Sequence, residues 1–134
     1  MKHYKNEDGY VLHFSDGMAA PEGYTEISHA QWMLANGSTQ AEVDAYEMNQ
    51  AIAAIQHRLD AFAQTRGYDS ILSACTYATS AVPRFAAEGQ CAVASRDGTW
   101  AVAAQIFAEV QAGTRTAPTE AELLAELPVL VWPA

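Results

Sequence analysis

The apolar positions of this 134-residue chain change their period about a third of the way along. Tyr10, Leu12 and Phe14 alternate with Val11 and His13, the period of a strand with one face better suited to burial. Asn6, Glu7, Asp8 and Gly9 before them form a turn signal, since glycine tolerates positive φ and an aspartate side chain bonds its own backbone. Ser15-Asp16-Gly17 and Pro21-Glu22-Gly23 mark two further turns, and Tyr24 to Ile27 is a candidate third strand. Ser28 and Gln31 have capping-box spacing and open a short helix through Trp32 to Ala35, which Gly37 ends. A hairpin or three-stranded sheet of this size does not stand alone in water. It must pack on helices, on a partner, or on a copy of itself.

Beyond Gly37 the period becomes helical. Thr39 and Glu42 form a second capping box, and Ala41, Ala45, Met48, Ile52, Ile55, Leu59 and Phe62 follow a 4-3-4-3-4-3 spacing. That is a coiled-coil-type seam held for three heptads, with Gly67 as its stop. A monomeric bundle and a self-associating long helix both generate such a seam, with Met48, Ile52, Ile55, Leu59 and Phe62 as its buried stripe. Tyr68 to Thr79 reads as one helix with Ile71, Leu72 and Cys75 facing inward, and Tyr77 and Ala78 as further candidates for that face. Ser80 to Pro83 breaks it, because proline disfavours helical geometry in the residue before it. Arg84 to about Ala112 is a longer helix in which Val93, Trp100 and Phe107 repeat at seven residues, supported by Ala103, Ile106 and Val110. Gly89 and Gly98 weaken that helix intrinsically, and mark close crossings or a bend near Gly98. Thr119 and Glu122 start a short last helix that Pro128 ends. The fold class that follows is α+β and predominantly helical: an antiparallel β element over residues 1–37, then a helical domain over 38–134 with an extended tail.

That tail, Val129-Leu130-Val131-Trp132, is too short for a helix and is bracketed by prolines. An exposed apolar run of this kind is an aggregation hazard, so it must be covered. Either it packs along its own domain, for instance as an extra strand on the sheet, or it docks into a partner with Trp132 as the anchor and Val129 and Val131 beside it.

Composition narrows the function. Sixteen acidic against seven basic residues leave a formal charge of −9, which repels phosphate backbones and argues against nucleic acid. The same charge keeps the protein soluble and speeds encounter with a basic protein partner. No apolar run approaches a membrane span, and the first residues lack a signal peptide's apolar stretch. Together these imply a soluble protein made in the cytoplasm. Cys75 and Cys91 lie in apolar helical segments and read as reduced core thiols.

Candidate chemistry is sparse. His3, His13, His29 and His57 are scattered, with no spacing suited to zinc, and His57 reads as a solvent-facing helix residue. There is no nucleophile elbow, no cysteine beside a histidine or lysine in sequence, and no phosphate-cradling glycine loop. Glu120 and Glu122 are explained by the helix dipole they meet. The expectation is a non-enzyme without metal, cofactor or small-molecule substrate. Arg66, Asp69, Arg84, Arg96 and Asp97 read as structural pins between helices, Asp69 as a helix cap and Arg84 as a donor to the carbonyls ending the preceding helix. Tyr68 and Tyr77 add amphipathic surface in the core or at an interface.

The segment RGYDSILSACTYATSAVPRFAAEGQ, from Arg66 to Gln90, is followed by Arg96, Asp97 and Trp100 and then by PTEAELLAELPVLVWP from Pro118 to Pro133. In this order the pieces resemble small proteins encoded beside tail-fibre genes in tailed bacteriophages and prophages, over about half the chain. The PEGYTEIS segment near the N-terminus is also similar to the openings of fibre-assembly proteins. The resemblance implies a tail-fibre partner and one of two roles: an assembly chaperone acting while the fibre trimerises in the host cytoplasm, or a permanent component of the tail or fibre. A remoter alternative is a small phage inhibitor of a host protein. The resemblance carries no catalytic residue to transfer.

Overall fold

A computed structural model describes residues 1–15 and 17–134. The described residues form three strands, β1 (Lys2–Asn6), β2 (Val11–Phe14) and β3 (Tyr24–Ile27), and five α-helices. The helices are α1 (His29–Ala35), α2 (Gln40–Gln64), α3 (Ile71–Cys75), α4 (Pro83–Gln111) and α5 (Glu120–Glu126), with a 3-10 turn at Thr76–Thr79 after α3. The architecture is α+β and mostly helical, as the change of period implied. The expected Ser15–Gly17 turn includes Asp16, which lies outside the described residues.

The chain divides into two compact units, Met1–Asn49 and Gln50–Ala134. The division falls inside α2 and not at Gly37. The reason is visible in the first turns of α2: Val43 is buried, and the Tyr46 ring lies 4.6 Å from that of His29. Those turns therefore belong with the sheet.

In the N-terminal unit the sheet order is β2-β1-β3, with both pairings antiparallel. The hairpin turn closes where the sequence placed it, with Gly9 N–H donating to the Asn6 carbonyl at 3.1 Å. The burial pattern differs from the expected one. Tyr10 lies outside β2 and is 70% exposed, and Leu12 is also exposed. Phe14 alone of that alternating set is engaged, edge-on to the buried Tyr4. The central strand β1 supplies the buried side chains His3 and Tyr4, because it is the strand flanked on both sides.

The C-terminal unit holds the larger core, built on Ile55, Leu59, Ala63, Ile71, Ala74, Ala92, Ala103, Ile106, Leu123 and Leu127. All three capping boxes form, at Ser28/Gln31, Thr39/Glu42 and Thr119/Glu122. Gly67 ends α2 at a positive φ of 84°, a conformation that other residues adopt only under strain. The cap of α3 is Ser70, not Asp69: its hydroxyl accepts from Ser73 N–H. Asp60 on α2 adds a second cap from outside, accepting from Ile71 N–H at 3.0 Å. The helix expected over Tyr68–Thr79 is accordingly shorter, five α-helical residues that tighten into the 3-10 turn.

The inward stripe of α4 is Glu88, Gly89, Ala92, Thr99, Ala103 and Ile106. Val93, placed inward by the heptad reading, is exposed, while Trp100 and Phe107 flank the core half-buried. Small residues set the closest face here because a neighbouring backbone comes very near. A Cβ built on Gly89 would sit 2.2 Å from Ala78 N and 2.4 Å from the Tyr77 carbonyl carbon. α4 runs unbroken through Gly98, where the nearest atom to an added Cβ is Pro128 Cγ at 4.0 Å.

The two glycines give predictions of opposite sign. Gly98→Ala should stabilise the protein by about 0.5–1 kcal/mol, the usual gain of alanine over glycine in a helix interior. Gly89→Ala gains the same propensity but drives a methyl into rigid backbone, so a net loss of roughly 1–3 kcal/mol is expected. Urea melts of both variants check this, and a Gly89→Ala variant as stable as Gly98→Ala would refute the close approach.

Candidate functional site

Two clusters of polar and aromatic side chains stand out, one in each unit. The first is a line of imidazoles in the N-terminal unit. Register pairs His3 with His13 across β1 and β2, and their Nδ1 atoms are 2.8 Å apart. The opposite edge of the His3 ring meets α1, with Nε2 2.9 Å from His29 Nδ1. Trp32 stacks on His3 at 4.8 Å and 9°. Three histidines that looked scattered in sequence are thus gathered by strand pairing and by the first turn of α1.

They form a chain and not a shared ligand set, since His3 points its two nitrogens in opposite directions. Among the described residues no group of three His, Cys, Asp or Glu is placed to hold a metal ion. Each of the two contacts needs one proton between its nitrogens. Three neutral rings supply those two protons and one more for an outer nitrogen. A single added proton fills the other outer nitrogen, and a second must break a contact. Burial, then the neighbouring His13 and His29, hold the pKa of His3 below 6.5.

The second cluster lies in the C-terminal unit, where α2 ends and α4 begins. Glu88, only 2% exposed, is gripped by Arg84 one turn before it, Nε to Oε1 at 3.0 Å. Its other oxygen, Oε2, lies 3.7 Å from Arg66 Nη1 and has no hydrogen-bond partner. Arg84 therefore pairs within its own helix instead of reaching the carbonyls before the Ser80–Pro83 break. The amide of Gln90 fills that role, donating to the Ala78 carbonyl at 3.2 Å. Arg66 does act as a pin between helices, as the sequence suggested.

Two adjoining cavities share this trio. One, of about 320 Å³, is completed by Ala87, Pro133 and Ala134. The other, of about 220 Å³, is walled by Tyr68, Tyr77 and Phe85. The rings of that wall touch in sequence, Tyr68 to Tyr77 at 5.4 Å and Tyr77 to Phe85 at 5.7 Å. Burial, followed by the charge of Glu88 and the nearby Tyr77, raises the Tyr68 pKa above 10.0, with the two arginines opposing. Tyr68 thus stays a neutral hydroxyl at the cleft wall.

No family model, no curated protein and no solved structure matches this chain.

The residues singled out by sequence fall into three groups. Ile55 and Leu59 are fully buried beneath the chain's own helices, and Phe62 packs against that core. Met48 is half-buried, but Ile52 is 39% exposed and leaves the stripe. Ala51 and Ala63 pack in the core instead, because the buried face follows the drift of a 3.6-residue helix and not a strict heptad. The tail runs extended along its own unit and is not part of the three-stranded sheet.

Trp132, half-buried, is engaged within its own unit. Its ring stacks on Phe62 at 4.2 Å and 13°. Its Nε1 donates to Thr65 Oγ1 at 2.9 Å, and the Arg66 guanidinium lies 5.6 Å from its centroid. Arg58 donates to the Pro128 carbonyl at 2.8 Å, and Cys91 Sγ donates to that of Val131 at 3.2 Å. Leu130 and Trp132 face in, while Val129 and Val131 are 83% and 69% exposed. Cys75 and Cys91 are both free and half-buried, and burial raises the Cys75 pKa above its usual value. No helix among the described residues is long and apolar enough to cross a membrane.

Two outcomes follow from these contacts. Trp132→Ala should lower unfolding stability by roughly 1.5–3 kcal/mol, the scale of one large apolar side chain returned to water; truncation after Pro128 should cost at least as much. Unchanged thermal melts would show that the tail is not integral to the unit. For the N-terminal unit the sign is fixed by His3. Its folded pKa lies below 6.5, so the unfolded chain binds more protons in that window and stability rises with pH. The contribution is complete above pH 6.5 and is lost as pH falls through the folded value. Melts followed by the Trp32 indole resonance at successive pH values should show this slope, and His3→Gln should flatten it.

Proposed function

We propose that this chain is a non-enzymatic protein that binds a phage tail fibre and assists its folding and assembly. The observation carrying this reading is the exposure of large apolar side chains within the Arg66–Gln90 segment, the segment that resembles tail-fibre-associated proteins. Leu72, Tyr77, Val82 and Phe85 all remain exposed there. Side chains of this kind, gathered in one stretch of a small domain, are characteristic of protein-binding surfaces. The acidic balance of 16 to 7 fits a protein partner better than nucleic acid. Association through the long helix would have to use Ile52 and its exposed neighbours, since Ile55 and Leu59 are covered intramolecularly.

Co-expression with a tail-fibre protein of the same genome should raise the yield of soluble fibre trimer or give a co-purifying complex. Purified particles should lack the protein. Its stoichiometric presence in particles would make it a permanent tail component, and capture of a host enzyme with no effect on the fibre would make it an inhibitor.

A further inference from the structure

The cleft over Arg66, Arg84 and Glu88 has features that a purely structural ion pair does not need. Glu88 is an almost fully buried carboxylate whose Oε2 lacks a hydrogen bond, and a buried acceptor left unmade is costly. Arg84 is 72% exposed and reaches Glu88 through Nε, so the far edge of its guanidinium faces outward. The first turn of α4 has no side-chain cap and no acidic residue, so nothing there offsets the positive helix end. Two guanidinium side chains face one carboxylate side chain here, in a chain of charge −9. The trio also sits at the junction of two cavities, one walled by aromatic rings.

We propose that this two-lobed cleft binds an extended peptide segment of a partner protein in which a carboxylate side chain and an aromatic side chain stand two residues apart, on the same face of the segment. The carboxylate pairs with the outward edges of Arg84 and Arg66, where planar guanidiniums give charge-assisted, two-point bonds. The aromatic side chain lies against Tyr77 and Phe85 in the second lobe. Each lobe has the volume of a side chain or two, which suits alternate residues of a strand-like segment and excludes a folded domain. A single acid is favoured over an acidic run, because the overall charge of −9 repels every further negative group. The inference shares Tyr77 and Phe85 with the fibre reading but holds whichever protein presents the segment.

The test is a titration followed by amide NMR shifts of the full chain. The probe is a capped alanine–glutamate–alanine–phenylalanine–alanine peptide, compared with its glutamine twin and with inorganic phosphate. Saturable shifts at residues 66–68, 76–78 and 84–89 are expected with the glutamate peptide, and binding weaker by about tenfold or more with glutamine, as for a lost charge-assisted pair. Arg84→Gln should remove the discrimination between the two peptides, and Phe85→Ala should weaken both. Absent or scattered shifts, or equal binding of the twins, would overturn the proposal. So would phosphate reproducing the same shifts with the aromatic residue dispensable, which would make the cleft a general anion hole. Should Arg84→Gln fail to fold, the comparison of the two peptides on the unaltered protein decides alone.

Discussion

The C-terminal unit is organised around one backbone-to-backbone approach. The 3-10 turn after α3 rests directly on α4 at Gly89, so closely that a single methyl group would meet the Ala78 nitrogen and the Tyr77 carbonyl carbon. That approach fixes which face of α4 turns inward, and therefore why the inward stripe is Gly89, Ala92, Thr99 and Ala103 and not the bulkier Val93. It also holds the Tyr77 ring beside Tyr68 and Phe85. Close packing of small residues gains dispersion contacts at short range, but it makes the position intolerant of added volume.

Placing Glu88 next to Gly89 in the same inward face has an electrostatic consequence. A carboxylate carried into a packed interface requires partners, because desolvation of a lone charge is far more costly than a surface ion pair is stabilising. Arg84 and Arg66 meet that need from the helix itself and from the end of α2, and the Arg66 side chain is in turn set by Trp132. The C-terminal tail reaches the cleft in two ways: Pro133 and Ala134 line one lobe, and Trp132, stacked on Phe62 beside the Arg66 guanidinium, helps orient the group that faces Glu88. Core packing, the ion pairs and the tail are parts of one assembly of contacts.

The N-terminal unit depends on a different device. Its buried polar residue is His3, held between two other imidazoles and under the Trp32 ring. A hydrogen-bonded imidazole chain satisfies buried nitrogens without introducing charge, which a small sheet with little apolar cover needs. The same arrangement makes the unit responsive to proton concentration in the range where histidine titrates.

Much of this was legible in the residues. Local rules act over three or four positions, so the capping boxes at Ser28, Thr39 and Thr119, the hairpin at Gly9, the stop at Gly67 and the break before Pro83 all stand where their spacing put them. The change from strand to helical period carried the α+β class for the same reason. What sequence could not supply is anything set by groups distant along the chain. The heptad reading kept Ile52 in the stripe and Val93 in the core, because it assumed a straight seam where helix drift and the Gly89 contact decide. Asp60 as the outside cap of α3, the alignment of His3 with His13 and His29, and the gathering of Arg66, Arg84 and Glu88 each join separate elements. Spacing reports which face of an element is apolar; only the packing of elements determines which polar groups are carried inside and must find one another there.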